Sequence, residues 1–189
     1  MMRPAPDPMF RPACGDDFAA VADLMNRYAA VNLTADQRGQ GFLLATFTPA
    51  QIEAMHRALG VVVALVGDEV VGCLCGADLG SAALPPPAAR MVALMPDWAL
   101  DGVSFRSRQT FLYGPVCIDA NFRGRGLLRG LFDALLRLAQ PRFDSGIAFV
   151  ARSNPHSLGV HRDGLGMEPV GEFEFAGEQL IALAFVVGR

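Results

Sequence analysis

Val116-Cys117-Ile118-Asp119-Ala120-Asn121-Phe122-Arg123-Gly124-Arg125-Gly126-Leu127-Leu128 is the stretch from which the rest of the chain is read. An apolar, β-prone run from Phe111 to Ile118 leads into it, and a short turn rich in glycine and arginine follows. Beyond the turn, apolar residues at 127, 128, 131, 132, 135, 136 and 139 make the stripe of a core-facing helix, so the spacing predicts strand, turn and helix in direct succession. Arg125, Arg129, Asp133 and Arg137 recur every four residues on the other face, where Arg129 with Asp133 and Asp133 with Arg137 can pair weakly.

A helix that starts this way leaves its first amides unpaired and aims its positive dipole end at the turn. Gly124 and Gly126 carry no Cβ to hold a ligand off the backbone, and the arginines of the turn add guanidinium groups suited to phosphate oxygens. Arg123-Gly124-Arg125-Gly126 alone fits either a phosphate seat or a solvated basic turn. The glycine spacing is not that of a Walker loop, and no Gly-Lys-Ser/Thr follows. Nor is it Gly-x-Gly-x-x-Gly with an acidic residue about 20 positions on, so a nucleotide triphosphatase or a Rossmann dehydrogenase is disfavoured.

The chain has 189 residues, 52% hydrophobic and 19% charged, enough for one compact domain that buries roughly 70% of its unfolded surface. A formal net charge of -3, with arginines scattered except around the turn, gives no footprint for nucleic acid. The lead from Met1 to Pro8 lacks a secretory apolar segment, and no stretch approaches the ~18 apolar residues of a membrane span. The expectation is a cytoplasmic protein with no membrane contact. Cys14, Cys73, Cys75 and Cys117 have neither zinc-knuckle nor Cys-x-x-Cys spacing and read as small buried thiols, with no metal site.

In chain order, Met9 to Ala13 predicts a first strand, and Asp16 or Asp17 the cap of a helix with apolar positions 18, 21, 22, 25, 28 and 29. Thr48-Pro49-Ala50-Gln51 is a capping-box pattern opening a short helix that carries Ile52, Met55 and Leu59 on one side. Val61 to Val66 and Glu69 to Ala77, joined by Gly67-Asp68, predict an antiparallel hairpin. From Leu79 to Arg108 the pattern dissolves: Pro85-Pro86-Pro87 is expected to forbid regular structure, and Trp98 either plugs this insertion or lines a pocket. Gly146 to Val150 predicts a short buried strand, Asn154-Pro155 a capped helix on which Asn154 and His161 share a side, and Met167 to Val187 a closing hairpin. Asp119 suits turn capping, and His56 and His156 are expected at the solvent.

The turn resembles the acyl-coenzyme A pyrophosphate loop of the GNAT superfamily of N-acetyltransferases, Arg/Gln-x-x-Gly-x-Gly/Ala between a strand and a helix. Arg123 and Gly126 match the first two fixed positions, and Leu128 stands where the family usually has a small residue. A second stretch is similar to the family's Asn-x-x-Ala/Ser-x-x-x-Tyr-x-x-x-x-Gly-Phe: Asn154, Ser157 and Gly166 fit, while His161 replaces the tyrosine and Met167 the phenylalanine. The resemblance implies an α/β (α+β) fold with a mixed, mostly antiparallel sheet of about seven strands flanked by about four helices, as one domain over residues 1–189 with an insertion at about 79–108.

It also implies acetyl-coenzyme A as cofactor. The pyrophosphate would rest on Gly124, Arg125, Gly126, Leu127 and Leu128, with Arg123 orienting the loop or meeting a phosphate. The pantetheine would pair with backbone at Val116 and Ile118, backbone near Cys117 would polarise the thioester, and Asn154 would touch the cofactor. His161, at the family's tyrosine position, would protonate the departing sulfur, and a water chain would remove the amine proton. The acceptor would be a primary amine of a small molecule or peptide. The alternative is a non-catalytic acyl-coenzyme A sensor or interaction module, and strand pairing at the end of the chain would permit a homodimer.

Overall fold

A computed structural model of the chain describes residues 7–80 and 84–188. The first part of the proline-rich lead, residues 1–6, and residues 81–83 of the insertion lie outside the described residues. Strand β1 (Met9–Pro12) precedes helices α1 (Asp17–Arg27), α2 (Ala35–Arg38) and α3 (Pro49–Ala58). Strands β2 (Gly60–Val66) and β3 (Glu69–Asp78) form the expected hairpin, turning at Gly67, whose φ of 63° favours glycine. Helix α4 (Pro86–Leu94) and a small hairpin, β4 (Ala99–Leu100) with β5 (Val103–Ser104), make up about half of the insertion. Then come β6 (Thr110–Ile118), α5 (Leu127–Ala139), β7 (Ser145–Ala151), α6 (Pro155–Gly159) and the closing hairpin β8 (Glu168–Phe175) and β9 (Glu178–Val186).

Seven strands form one mixed sheet in the order β1-β2-β3-β6-β7-β9-β8. Every neighbouring pair is antiparallel except β6 with β7. Both faces are covered, which is why β2 and β3 read as nearly continuous apolar runs. Val61 and Val63 meet Val21, Leu24, Met25 and Ile52 of α1 and α3 on one face, while Val62 and Ala64 meet Leu131 and Leu135 of α5 on the other. Each such fully buried aliphatic side chain contributes about 2 kcal/mol.

Two local predictions come true atom by atom. The Thr48 hydroxyl accepts from Gln51 N, and the Gln51 side chain accepts from Thr48 N at 2.8 Å, a closed capping box at α3. Asn154 Oδ1 accepts from Ser157 N at 3.2 Å and caps α6, with Pro155 at its first position.

Other expectations fail for physical reasons. Pro86 and Pro87 open α4 rather than forbid it, because the first helical turn needs no N–H donors and proline's fixed φ suits it. The expected sheet flanked by helices does form, with six helices among the described residues against about four: α2 is a single capped turn invisible to periodicity, and α4 belongs to the insertion. Among the described residues neither Arg129 nor Arg137 pairs with Asp133; Arg129 Nη2 donates instead to the Gly164 carbonyl at 2.8 Å. Cys14 is exposed, unlike the other three thiols. Asp17 enters α1 and accepts from Cys14 N at 2.7 Å and from Arg11 at 2.6 Å, so that hydrogen-bonded guanidinium holds its carboxyl below the usual range. Trp98 anchors the insertion: its indole fills the space where a Cβ on Gly171 would sit 2.1 Å away, beside Phe173 of β8.

Candidate active site

The sheet is closed at one end of β6 and open at the other. Strands β6 and β7 pair only where Thr110, Phe111 and Leu112 face Ser145, Gly146 and Ile147. At that closed end the buried Thr110 and Ser145 hydroxyls hydrogen-bond at 2.8 Å. Beyond Leu112, β6 stays on β3 to Ile118 while β7 stays on β9 to Ala151, so the two part. The register slips between Leu74 and Gly76, leaving Gly114 and Pro115 opposite one residue; this bulge lies where the strands separate.

The ladder decides which backbone groups face the gap. Asp119 N donates to Val71 O at 2.9 Å, and Cys117 is registered on Cys73, so alternation turns the N–H and C=O of Cys117 to β3 and those of Val116 and Ile118 to the gap. Of the backbone near Cys117, it is therefore the N–H of Val116 that faces the gap. The Cys117 thiol packs toward α1, with Sγ 3.8 Å from Leu24 O, and burial pushes its pKa up to about 12, so it stays protonated and is no nucleophile.

Just past Ile118 the chain makes the glycine turn. Gly124 and Gly126 have φ of 72° and 77°, and a Cβ on either would project into open space, so side chains are excluded by conformation and not by packing. Gly126 caps α5 without a side-chain hydrogen bond, and no acidic residue lies in the first turn. Among the described residues no protein acceptor takes the amides of Gly124, Arg125, Gly126, Leu127 or Leu128. The Arg125 guanidinium lies 5.2 Å from the Phe122 ring and, among the described residues, has no carboxylate partner. The cradle fits a pyrophosphate: bare amides, a positive dipole end and one uncommitted cation.

Arg123 and Asn154, which the motifs single out, both have protein partners. Arg123 Nε donates to Ile118 O at 3.1 Å and Nη1 to Gln40 O at 2.6 Å, with the guanidinium over Tyr28. Asn154 Nδ2 donates to Phe42 O at 3.0 Å. Residues 40–42 thus form a strap tied to the end of β6 by Arg123 and to the end of β7 by Asn154, across the mouth of the gap.

His161 lies 3% exposed on the turn that continues α6. Its Nδ1 is 2.7 Å from Ser157 O, a carbonyl that can only accept, so Nδ1 carries the proton. Burial lowers its pKa against the opposing effect of that Ser157 contact, which leaves the ring neutral and Nε2 a bare acceptor. Tyr113 Oη, 3.1 Å away, is therefore the donor to Nε2. Burial pushes the Tyr113 hydroxyl up, so it stays protonated. Tyr113 escaped sequence reading because a tyrosine in an apolar strand run looks like core; its period-two relation to Phe111, away from Cys117 across the bulge, was the available signal.

Asp119 caps the turn as expected, accepting from Asn121 N at 3.0 Å and pairing with Arg27 at 3.0 Å. His156 is exposed, whereas His56 is half-buried against Phe18 and takes Val61 N at 3.4 Å. A cavity of about 1720 Å³ joins these parts, running from the glycine turn past Val116, Tyr113 and His161 to α3 and to Leu84–Pro87 of the insertion. It exceeds the roughly 300–1,000 Å³ of a single small-ligand site and has room for a cofactor and a second substrate. Trp98 is not among its lining residues.

The family model described as acetyltransferase (GNAT) family matches residues 27–167. No curated protein sequence matches the chain. Among solved structures, a putative acetyltransferase from Salmonella typhimurium with its cofactor acetyl-CoA is similar at 21% identity and a TM-score of 0.64, covering 96% of this chain and 95% of that one. An N-acetyltransferase from Staphylococcus aureus is similar at 17% identity and a TM-score of 0.60, over 96% and 99% of the two chains. A ribosomal-protein-alanine N-acetyltransferase from Brucella melitensis gives 19% and 0.61, over 94% and 99%. These likenesses show a shared fold, and the sequence motifs lie on the strands and turns expected of it. Among the described residues no group of three or more histidine, cysteine or acidic side chains is placed to hold a metal ion, and no helix is long and apolar enough to cross a membrane.

Proposed function

Starting from the premise that the chain belongs to the acetyltransferase (GNAT) family and is an acyltransferase using acetyl-coenzyme A, we propose that it carries the acetyl group to a primary amine of a small molecule or peptide. The observation that carries this reading is the continuity of the cradle: unpartnered amides from Gly124 to Leu128, then the gap-facing backbone of Val116 and Ile118, then His161.

Acetyl-coenzyme A supplies an acetyl group already activated as a thioester. The amides of Gly124 to Leu128 and the Arg125 guanidinium hold the pyrophosphate. Val116 and the free N–H of Ile118 pair with the pantetheine as a neighbouring strand would, and Val116 N–H is the donor toward the carbonyl oxygen that gains charge. Arg123 and Asn154 serve by holding the 40–42 strap across the gap. An amine with a pKa near 10.4 is mostly protonated at neutral pH, so water strips its first proton. Neutral His161 takes the second at Nε2 by way of Tyr113 Oη. The imidazolium so formed is a stronger acid than a free one, because burial disfavours it, and it would return the proton to the departing sulfur.

The test is a thermal-shift titration with acetyl-coenzyme A followed by thiol release across an amine library. At about 100-fold excess over the dissociation constant, the cofactor should stabilise the fold by ~2.7 kcal/mol. The chain contains no lysine, so released acetyl groups have no side-chain amine of the enzyme itself to settle on. Cofactor binding with no turnover of any amine would identify an acyl-coenzyme A sensor instead.

A further inference from the structure

We infer that the acceptor is a small primary amine with an apolar body and no second positive charge, seated at the end of the cavity away from the glycine turn. This rests on the acetyl-transfer reading and names the substrate class of that site.

The walls at that end are apolar. Phe42, Leu44 and Phe47 come from the segment between α2 and α3, Met55 from α3, and Leu84 and Pro87 from the insertion. Leu44 is 46% exposed, a large aliphatic side chain left uncovered where it borders the cavity, and an apolar ligand would cover it.

Charge narrows the class further. Among the described residues that line the cavity, Asp163 is the single carboxylate. It precedes Gly164, whose carbonyl holds Arg129 of α5, and so belongs to the cofactor end. At the acceptor end the charged residue is Arg57, paired with Glu53 at 2.6 Å. A polyamine or an aminoglycoside would bring further ammonium groups out of water with no carboxylate lining that end to meet them, since Glu53 lies outside the lining and is paired with Arg57, and that burial is costly. An amine with one nitrogen escapes this cost. Apolar walls also disfavour the ammonium form, raising the fraction of neutral amine able to attack, which suits a site with no carboxylate base at the acceptor.

Backbone geometry favours a small molecule over a peptide. An extended peptide binds by pairing with a strand edge, and the open edge of β6 faces the cofactor gap. The other walls are helix α3, Pro85, Pro86 and Pro87, which have no N–H to offer, and the 42–47 segment, where the carbonyls of Phe42, Leu43 and Phe47 and the amides of Leu43 and Phe47 are already held by Asn154, Ala30, Asn26 and Tyr28.

The experiment uses the full chain saturated with acetyl-coenzyme A and measures kcat/KM by thiol release. The substrates are phenethylamine, cyclohexylmethylamine, spermidine, kanamycin and an apolar tripeptide amide. The two apolar monoamines should exceed spermidine and kanamycin by about tenfold or more. Calorimetry should detect phenethylamine binding to the coenzyme A-loaded protein. Ala54, exposed on α3 and bordering the cavity, reports on the charge argument: Ala54→Glu should lower kcat/KM for phenethylamine, raise it for spermidine and leave coenzyme A affinity unchanged. Preference of the native protein for spermidine, kanamycin or the tripeptide amide, with cofactor binding intact, overturns this inference and leaves acetyl transfer standing. Failure of the native protein to bind acetyl-coenzyme A brings down both.

Discussion

His161 shows how far a single residue's position can be carried over from a motif and where its surroundings take over. The motif resemblance implies a proton-transfer position for it, while the Ser157 carbonyl on Nδ1 and the Tyr113 hydroxyl on Nε2 decide its tautomer and burial favours its neutral form. If His161 accepts a proton during turnover, activity falls as pH drops through its folded-state pKa, which lies below 6.5. His161→Phe should therefore lose that acidic limb and reduce kcat by about 100-fold while leaving the dissociation constant for acetyl-coenzyme A within a few-fold, measurable by a pH–rate series and calorimetry. The same shift makes a stability prediction. A histidine held neutral in the fold binds its proton more readily once unfolded, so its contribution is complete above about 6.5 and is lost as pH falls from there toward the lowered value. Melting temperatures of the native protein should decline over that window, and those of His161→Phe should decline less.

Local elements carry two further tests. The glycine turn owes its shape to φ values of 72° and 77° that a branched side chain adopts only at a cost of about 1–2 kcal/mol. Gly124→Val should weaken acetyl-coenzyme A binding by tenfold or more in calorimetry, because the amides it misaligns are those assigned to the pyrophosphate; retained affinity would remove the turn from the cofactor site. At α3, Thr48→Ala opens a capping box and should cost about 1 kcal/mol in urea unfolding, with little change in cofactor affinity. These elements were legible in advance because their signals are local: proline after threonine, glutamine three positions on, glycine at the turn. The start of α4 was misread for the same reason, since three prolines look like a breaker unless the chain is known to begin a helix on the second of them.

At the scale of the whole molecule, packing joins the core to the chemistry. A Cβ on Gly146 would lie 2.2 Å from the Phe185 ring, and that ring sits among Phe111, Tyr113 and Phe132, with centroids 5.8, 5.9 and 4.9 Å away. Gly146→Ala should destabilise the fold by about 1–3 kcal/mol through overpacking. It should also lower kcat, because displacing Phe185 presses on the tyrosine that holds His161. A full melting-temperature loss with unchanged kcat would show that the aromatic cluster and the proton pair move independently.

The sequence by itself determined the order of the seven sheet strands and of the helices other than α2 and α4, the two caps, the glycine turn and the family to which they belong, since their signals lie within a few positions of one another. The tertiary structure alone decided that Arg123 and Asn154 reach over to the Gln40 and Phe42 carbonyls, that Tyr113 is the partner of His161, that Val116 rather than Cys117 faces the gap, and that Trp98 leaves the cavity for Gly171. The division has a physical cause. Helix caps and turns satisfy backbone groups by nearby side chains and so are written in short spacings. Partners across the sheet depend on register, on a bulge and on strand splaying, which arise only when distant segments pack together.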